Sequence, residues 1–364
     1  MPATKLDIAV VDKTVGPSYR EHQAIFWMDL HNKIVPSNSG KGTGDPDGDG
    51  KYNYDTDYYG FYPVDNSSTN ILDIDLDPTK VDILYLADTY GANETYGPPV
   101  SEWRNYTAGI SAAEASSIWA FTQRGGSIYA EWNVLGDPTY NDTRAEAIMS
   151  DVLHLNYLGY GSFFVDLSNV NRIMKLVYRA SSGLEWNFTG PGIVILLDSP
   201  SIGNVTMVVL EKEDLQDVKV PVRLELTSVK SPITEGIARE LEYPVGYWFE
   251  VVKPYSDAQQ LARYRLETTP SGDAKLARYG LNSTFPALLQ YDGSYRAVYC
   301  AADATDYAGA GEGKYPPKWQ AYISGIEVFW RYNSVSLLSP MEQYFWRFYE
   351  PMMANSYAWL AERY

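Results

Sequence analysis

The chain has 364 residues, 45% of them hydrophobic and 14% aromatic, which supplies a large buried core for about two domains or one elaborated domain. Lys and Arg total 29 against 46 Asp and Glu, a net charge of -17, and so acidic a surface excludes nucleic acid and anionic lipid as partners. The single cysteine, Cys300, excludes an internal disulfide framework and a thiolate metal cluster, so no redox cofactor is expected.

Tyrosine is the unusual aromatic, 31 against 11 Phe. It buries a ring while keeping a polar tip, which predicts surfaces that contact sugars or other proteins. No run reaches 18 apolar residues, so no transmembrane segment is expected. The start runs straight into the strand LDIAVV with no basic leader, which implies a cytoplasmic chain or a leader outside this sequence.

After LDIAVV, the amphipathic run Arg20 to Lys33 reads as a helix, and a polar glycine-rich excursion follows at 36–59. VDILYLAD (81–88) is continuously apolar, like a parallel strand buried on both faces. Ser111 to Arg124 reads as a helix capped by Ser111 with Glu114 three residues on. The strand SIYAEW, a helix from Thr143 to Leu155, the strand SFFVDL and a helix from Asn169 to Ala180 continue the alternation. Repeated β-α-β predicts an α/β fold with a doubly wound, mostly parallel sheet.

From Gly192 onward the segments GIVILL, VTMVVLE, VPVRLELT, YWFEVV and RAVYCAAD are short and β-branched. They predict an antiparallel or mixed extension completing the sheet. The division is then 1–190 for the core, with 36–59 inserted, and 191–364 for the extension, with one continuous domain as the alternative. LARYRLETT (261–269) and LARYGLNST (276–284) read as a hairpin of similar strands. The aromatic stretch from Ser339 to Tyr364 reads as a helix serving core or subunit contact.

The run Asp45-Pro-Asp47-Gly-Asp49-Gly50, followed by Asn53, Asp55 and Asp57, has side-chain oxygens at positions 1, 3, 5 and 9 and glycine at 6. That matches the start of a calcium loop and makes Ca²⁺ the expected cofactor. Position 12 is Thr56, flanked by the acids Asp55 and Asp57, and a solvated acidic turn is the plain alternative. The Gly-Lys-Gly-Thr-Gly run at 40–44 lacks phosphate-loop spacing, so no nucleotide is expected. Seven N-x-S/T acceptors, at Asn66, Asn93, Asn105, Asn141, Asn187, Asn204 and Asn282, predict an exported, glycosylated protein outside the cell or on its surface.

Ligands of open α/β sheets bind beyond the carboxyl ends of the strands. Those ends supply Asp12, Lys13, Asp88, Tyr90, Glu131, Trp132, Asn133, Asp303 and Asp306, with His22 at the start of the first helix. Asp12, Asp88 and Glu131, with His22 as auxiliary, would serve a carbohydrate hydrolase. The same groups, with Lys13, Tyr90, Trp132, Asn133 and Asp303, would equally form a polar rim that binds a glycan.

GGSIYAEWN (125–133), DILYLAD, KSPITEGI (230–237), LARY and YRAVYCAAD resemble the class I glutamine amidotransferase-like superfamily, in its ThuA-like and β-galactosidase trimerisation-like branches. DYYGFYP, ADTYG, WNFTGPG and TFPAL are similar to a group of that fold lacking the catalytic cysteine. The resemblance implies that a nucleophilic cysteine would follow the GGSIYAEWN strand, where Glu131, Trp132 and Asn133 stand instead. It therefore implies a catalytically degenerate fold used in binding or self-assembly, with a homo-oligomer or surface array as the expected assembly.

Overall fold

The computed structural model describes residues 3–14, 22–62, 67–91, 109–136, 138–197, 206–244, 248–302, 321–333 and 337–362. The chain is an α/β protein with one large mixed sheet and a separate antiparallel sheet. The expected parallel strands are there because apolar runs bury on both faces: β1 (Ile8–Asp12) and β3 (Ile83–Asp88) are buried at every position. β2 (Tyr58–Tyr62), β4 (Ser127–Glu131) and β13 (Arg296–Cys300) lie parallel with them, in the order β2-β1-β3-β4-β13.

Helix α1 (Gln23–His31) follows β1, and α2 (Ala112–Gln123) links β3 to β4. The start expected for α1, Arg20 and Glu21, lies outside the described residues. α2 begins where the sequence placed it, because Ser111 accepts the Glu114 N–H while the Glu114 carboxylate accepts the Ser111 N–H. It packs against α3 (Thr143–Leu153).

Beyond β13 the large sheet continues antiparallel through β12 (Thr284–Asp292), β11 (Gln259–Leu266), β8 (Val222–Leu226) and β9 (Glu240–Glu242). The remaining expected strands go elsewhere. SFFVDL forms the end of β5 (Leu155–Phe164), which leaves the parallel sheet to pair with β6 (Gly192–Leu197) and β10 (Trp248–Pro254). With β7 (Thr206–Leu210) these form the second, four-stranded sheet, so GIVILL, VTMVVLE and YWFEVV do not extend the first. A helix, α4 (Arg172–Ser182), separates β5 from β6.

The two LARY segments do not pair as similar strands. The first, 261–264, lies in β11, whereas the second ends α5 (Pro270–Ala277). Thr269 accepts the Gly272 N–H and Pro270 pre-sets the first turn, so local start signals override the shared tetrapeptide.

The C-terminal helix settles the aromatic stripe as core. It runs as α6 (Pro340–Tyr344), a wide π turn (Phe345–Tyr349) and α7 (Glu350–Ala361). Phe345, Trp346, Phe348, Tyr349, Met352, Met353, Trp359 and Leu360 are all buried, and Trp346 packs edge-on against Trp27 of α1. Pro351 lacks the N–H that would bond the Arg347 carbonyl, and a wide turn is one way a helix accommodates that loss. The freed carbonyl accepts the Ala238 N–H at 3.1 Å, just after the SPIT segment, while Asn355 donates to the Ile233 and Glu235 carbonyls. The KSPITEGI motif is therefore the anchor of this helix.

Tyrosine corrects the surface reading in part. Tyr85, Tyr129, Tyr264, Tyr299, Tyr344, Tyr349 and Tyr357 are buried in one continuous core, their rings packed against sheet and C-terminal helix. Among the described residues no helix is long and apolar enough to cross a membrane.

Candidate functional site

The strand order sets Asp12 directly opposite Asp88. From β1 the chain moves to β2 on one side, and from β3 to β4 on the other, so the ends of β1 and β3 flank the point where the connections diverge. Gly60 of β2 makes room there: a Cβ would stand 1.7 Å from the Asp12 carbonyl oxygen.

Asp12 Oδ1 accepts the Thr14 N–H at 2.9 Å, and Oδ2 lies 2.9 Å from His22 Nδ1. The other ring nitrogen, Nε2, lies 2.6 Å from the Tyr54 carbonyl, which can only accept, so Nε2 carries a hydrogen. Neither side chain is exposed at all, and the His22 ring packs on Tyr58 at 4.2 Å between centroids. His22 thus joins a strand end to the 36–59 segment.

Lys13 is also buried. Its Nζ donates to the Gly109 carbonyl at 2.6 Å and to Glu114 Oε1 at 2.8 Å. Burial pushes the ammonium below its usual range, and Glu114 opposes that shift. Asp88 Oδ1 accepts the Tyr90 N–H at 2.7 Å, and its carbonyl accepts the Lys13 N–H. Asn133, in the left-handed region at φ 67°, points Nδ2 toward Asp88 Oδ2 at 3.5 Å and gives its own N–H to Glu250 Oε1 at 3.0 Å.

Asp12, Lys13, His22, Asp88 and Asn133 therefore gather at the strand ends. Glu131 takes another direction: it accepts the Tyr85 hydroxyl at 2.7 Å, and that hydroxyl also touches Met353 of the C-terminal helix. Trp132 is buried between Tyr160 and Trp248, a link to the second sheet, whereas Tyr90 is 40% exposed. Asp303 and Asp306 lie outside the described residues. The three histidines do not meet; His31 pairs with Glu327 and His154 with Asp257.

Glu114 and Glu250 complete this constellation and escaped sequence reasoning as members of it. Glu250 left a signal, a lone acid in the apolar run YWFEVV; Glu114 was visible only as a helix cap.

The 36–59 segment lies along β1. Tyr52 accepts the Ile8 N–H and donates to the Leu6 carbonyl, both at 2.7 Å, and a Cβ on Gly44 would stand 2.1 Å from the Ile8 carbonyl oxygen. Within it, carboxylate oxygens of Asp45, Asp47 and Asp49 lie within 4.8 Å of one another. Asp45 is buried and accepts the N–H groups of Gly48 and Gly50. Asn53 Oδ1 accepts the N–H of the exposed Asp55, and Asp57 Oδ2 accepts the Asn53 N–H at 2.7 Å. Asp57 is fully buried, and its Oδ1 accepts no hydrogen bond among the described residues. Burial first, then the charges of Asp47 and Asp45, raise its carboxyl to about 7 although the Asn53 and Asp47 N–H groups favour ionisation.

Of the glycosylation candidates, Asn141, Asn187 and Asn282 are exposed, and Asn66, Asn93, Asn105 and Asn204 lie outside the described residues. Cys300 is buried in β13 opposite Glu131, and burial pushes its thiol far up. It is placed as a small hydrophobe.

No protein-family model and no curated protein matches the chain. Among solved structures, a ThuA-like protein from Bacteroides uniformis matches at 10% identity, covering 88% of each chain, with a TM-score of 0.39. Two cytoplasmic proteins from Salmonella typhimurium match at TM-score 0.35. One is 10% identical over 83% of this chain and 89% of that one, the other 13% identical over 92% and 86%. At these scores the likenesses define neither a family nor an activity for this chain.

Proposed function

We propose that the chain is a binding and self-assembly protein on a doubly wound, amidotransferase-like fold whose catalytic turn holds no nucleophile. The observation that carries the assembly role is an apolar surface on 322–341. Tyr322, Ile323, Val328, Phe329, Tyr332, Leu337 and Met341 are between 39% and 78% exposed. Runs of large exposed apolar side chains mark interaction sites. The turn after β4 supports the noncatalytic part, since it offers Trp132 as packing and Asn133 as a bonded corner. A carbohydrate hydrolase gains nothing from Asp12, Asp88 and Glu131, each buried and hydrogen-bonded. Exposure of Asn141, Asn187 and Asn282 supports an exported glycoprotein.

Light scattering of the full chain tests the reading. A concentration-dependent oligomer is expected, and Phe329→Asp with Tyr332→Asp returns it to monomer. A wild-type monomer at every concentration overturns self-assembly.

A further inference from the structure

The short helical segment at 326–333 is amphipathic in reverse. It runs as a turn over Ile326–Val328 and a wide π turn over Phe329–Asn333. A surface helix ordinarily points its apolar side chains at the core and its charges at water. Here Val328, Phe329 and Tyr332 are exposed, as are Tyr322 and Ile323 just before them. The charged Glu327 and Arg331, four residues apart and so on one face, reach instead into the body of the protein.

Those two charges hold the segment down like a strap. Arg331 donates from both Nε and Nη2 to Glu350 Oε2 at the start of α7, the Nε bond at 2.8 Å. Glu327 Oε2 lies 3.2 Å from His31 Nε2 at the end of α1, and His31 Nδ1 lies 3.3 Å from the Ala321 carbonyl. A cleft of about 300 Å³ is lined by Thr4, His31 and Lys33 of the body and by Ser324, Gly325 and Glu327 of the strap. Ala321, Ile326 and Trp330 supply the apolar contacts, Trp330 lying 6.4 Å from Trp346 between ring centroids. The strap is therefore supported at a few points rather than along its length. Its two polar clasps are unequal: the Glu350 side chain is 3% exposed and that of Glu327 24%. A buried carboxylate deprived of its cation is the costlier of the two to leave.

We propose that the strap 321–333 is a releasable element latched by the Arg331–Glu350 ion pair, and that this latch governs self-association by fixing the orientation of the apolar face. The control of association rests on the assembly reading above, because the face that the latch orients is the one that joins copies. Segments with few buried apolar contacts open locally, at a free energy below that of global unfolding. Cutting the latch favours such opening. The outward side chains then lose their common orientation, and ordering them again is a cost that association must overcome. Arg331 and Glu350 are positioning residues in this scheme, since the pair lies beneath the exposed face.

Hydrogen–deuterium exchange of the full chain, read on peptides covering 322–332, tests the latch, and light scattering tests what it governs. Arg331→Met alone leaves the Glu350 charge buried and unpaired, which weakens the whole protein; adding Glu350→Gln removes that charge and separates the latch from overall stability. In the double variant, exchange over 322–332 is expected to be faster by about tenfold or more, with exchange in β3 and β4 unchanged. The oligomer is expected to dissociate at a concentration about tenfold higher or more. Arg331→Lys keeps the charge and restores part of both, and Glu327→Gln, at the more exposed clasp, has the smaller effect. Exchange that is no faster over 322–332, or that rises equally in β3 and β4, overturns the latch. Faster exchange over 322–332 with an oligomer as stable as wild type overturns its control of assembly. A wild-type chain that is monomeric at every concentration removes the assembly reading and that control with it, while the exchange experiment still decides the latch.

Discussion

The strand-end cluster and the 36–59 segment both bury charged groups, and they satisfy them differently. At the strand ends Asp12 meets His22 and the Thr14 N–H, and Lys13 meets Glu114 and the Gly109 carbonyl. In the loop, the carboxylates of Asp45, Asp47 and Asp57 meet backbone N–H groups and one another. The difference teaches where to look for a partner from outside the chain. A closed ionic network is structural, whereas a cluster of like charges is the costlier arrangement.

The largest effect that would break this contrast lies at Lys13. Lys13→Met strands the buried Glu114 charge and is expected to cost about 3–5 kcal/mol in urea unfolding, most of it recovered by adding Glu114→Gln. A cost below about 1 kcal/mol would show that the strand-end cluster is not a closed network.

Asp29 of α1 sharpens the contrast with the opposite sign. Both its oxygens are buried without a hydrogen bond among the described residues, and burial raises its carboxyl well above the usual range. The folded chain keeps that proton while the unfolded chain releases it above a pH of about 4. The folded state is therefore favoured in full below pH about 4, and that advantage is lost as pH rises toward the folded value. Asp29→Asn is expected to stabilise the protein by about 2 kcal/mol at pH 7 and by nothing at pH 4. Urea midpoints at the two pH values check it; equal effects at both would exclude a neutral Asp29.

The smallest effect belongs to the exposed loop acid. Without divalent cations, Asp47→Asn is expected to leave stability within about 0.5 kcal/mol of wild type by thermal unfolding. A larger loss would mean that the Asp47 carboxylate holds the loop through the Asp49 N–H.

The parallel strands were legible because burial on both faces leaves an unbroken apolar run, and α2 because Ser111 and Glu114 write its start. The nearness of Asp45, Asp47 and Asp49 was legible from their spacing, although not the burial of Asp45 and Asp57. What could not be read was partner choice. SFFVDL and GIVILL carry the same apolar signal as β1, and only the assembled chain sends them to a second sheet. Tyrosine misled because its hydroxyl suits an interface, yet Tyr85 spends that hydroxyl on Glu131 inside the core. Lys13 and Glu114 are ordinary surface types in sequence, and no local pattern announces a buried pair between them.

The position of β13 has a consequence for how the chain comes to be folded. Residues 296–300 fill the slot between β4 and β12, so the edge of β4 stays uncovered until nearly all of the polypeptide has been synthesised. Contacts so distant in sequence close slowly, and an uncovered strand edge recruits other chains. A nascent or truncated chain ending before residue 296 would expose that edge and aggregate through it, and would not form a smaller version of the same fold.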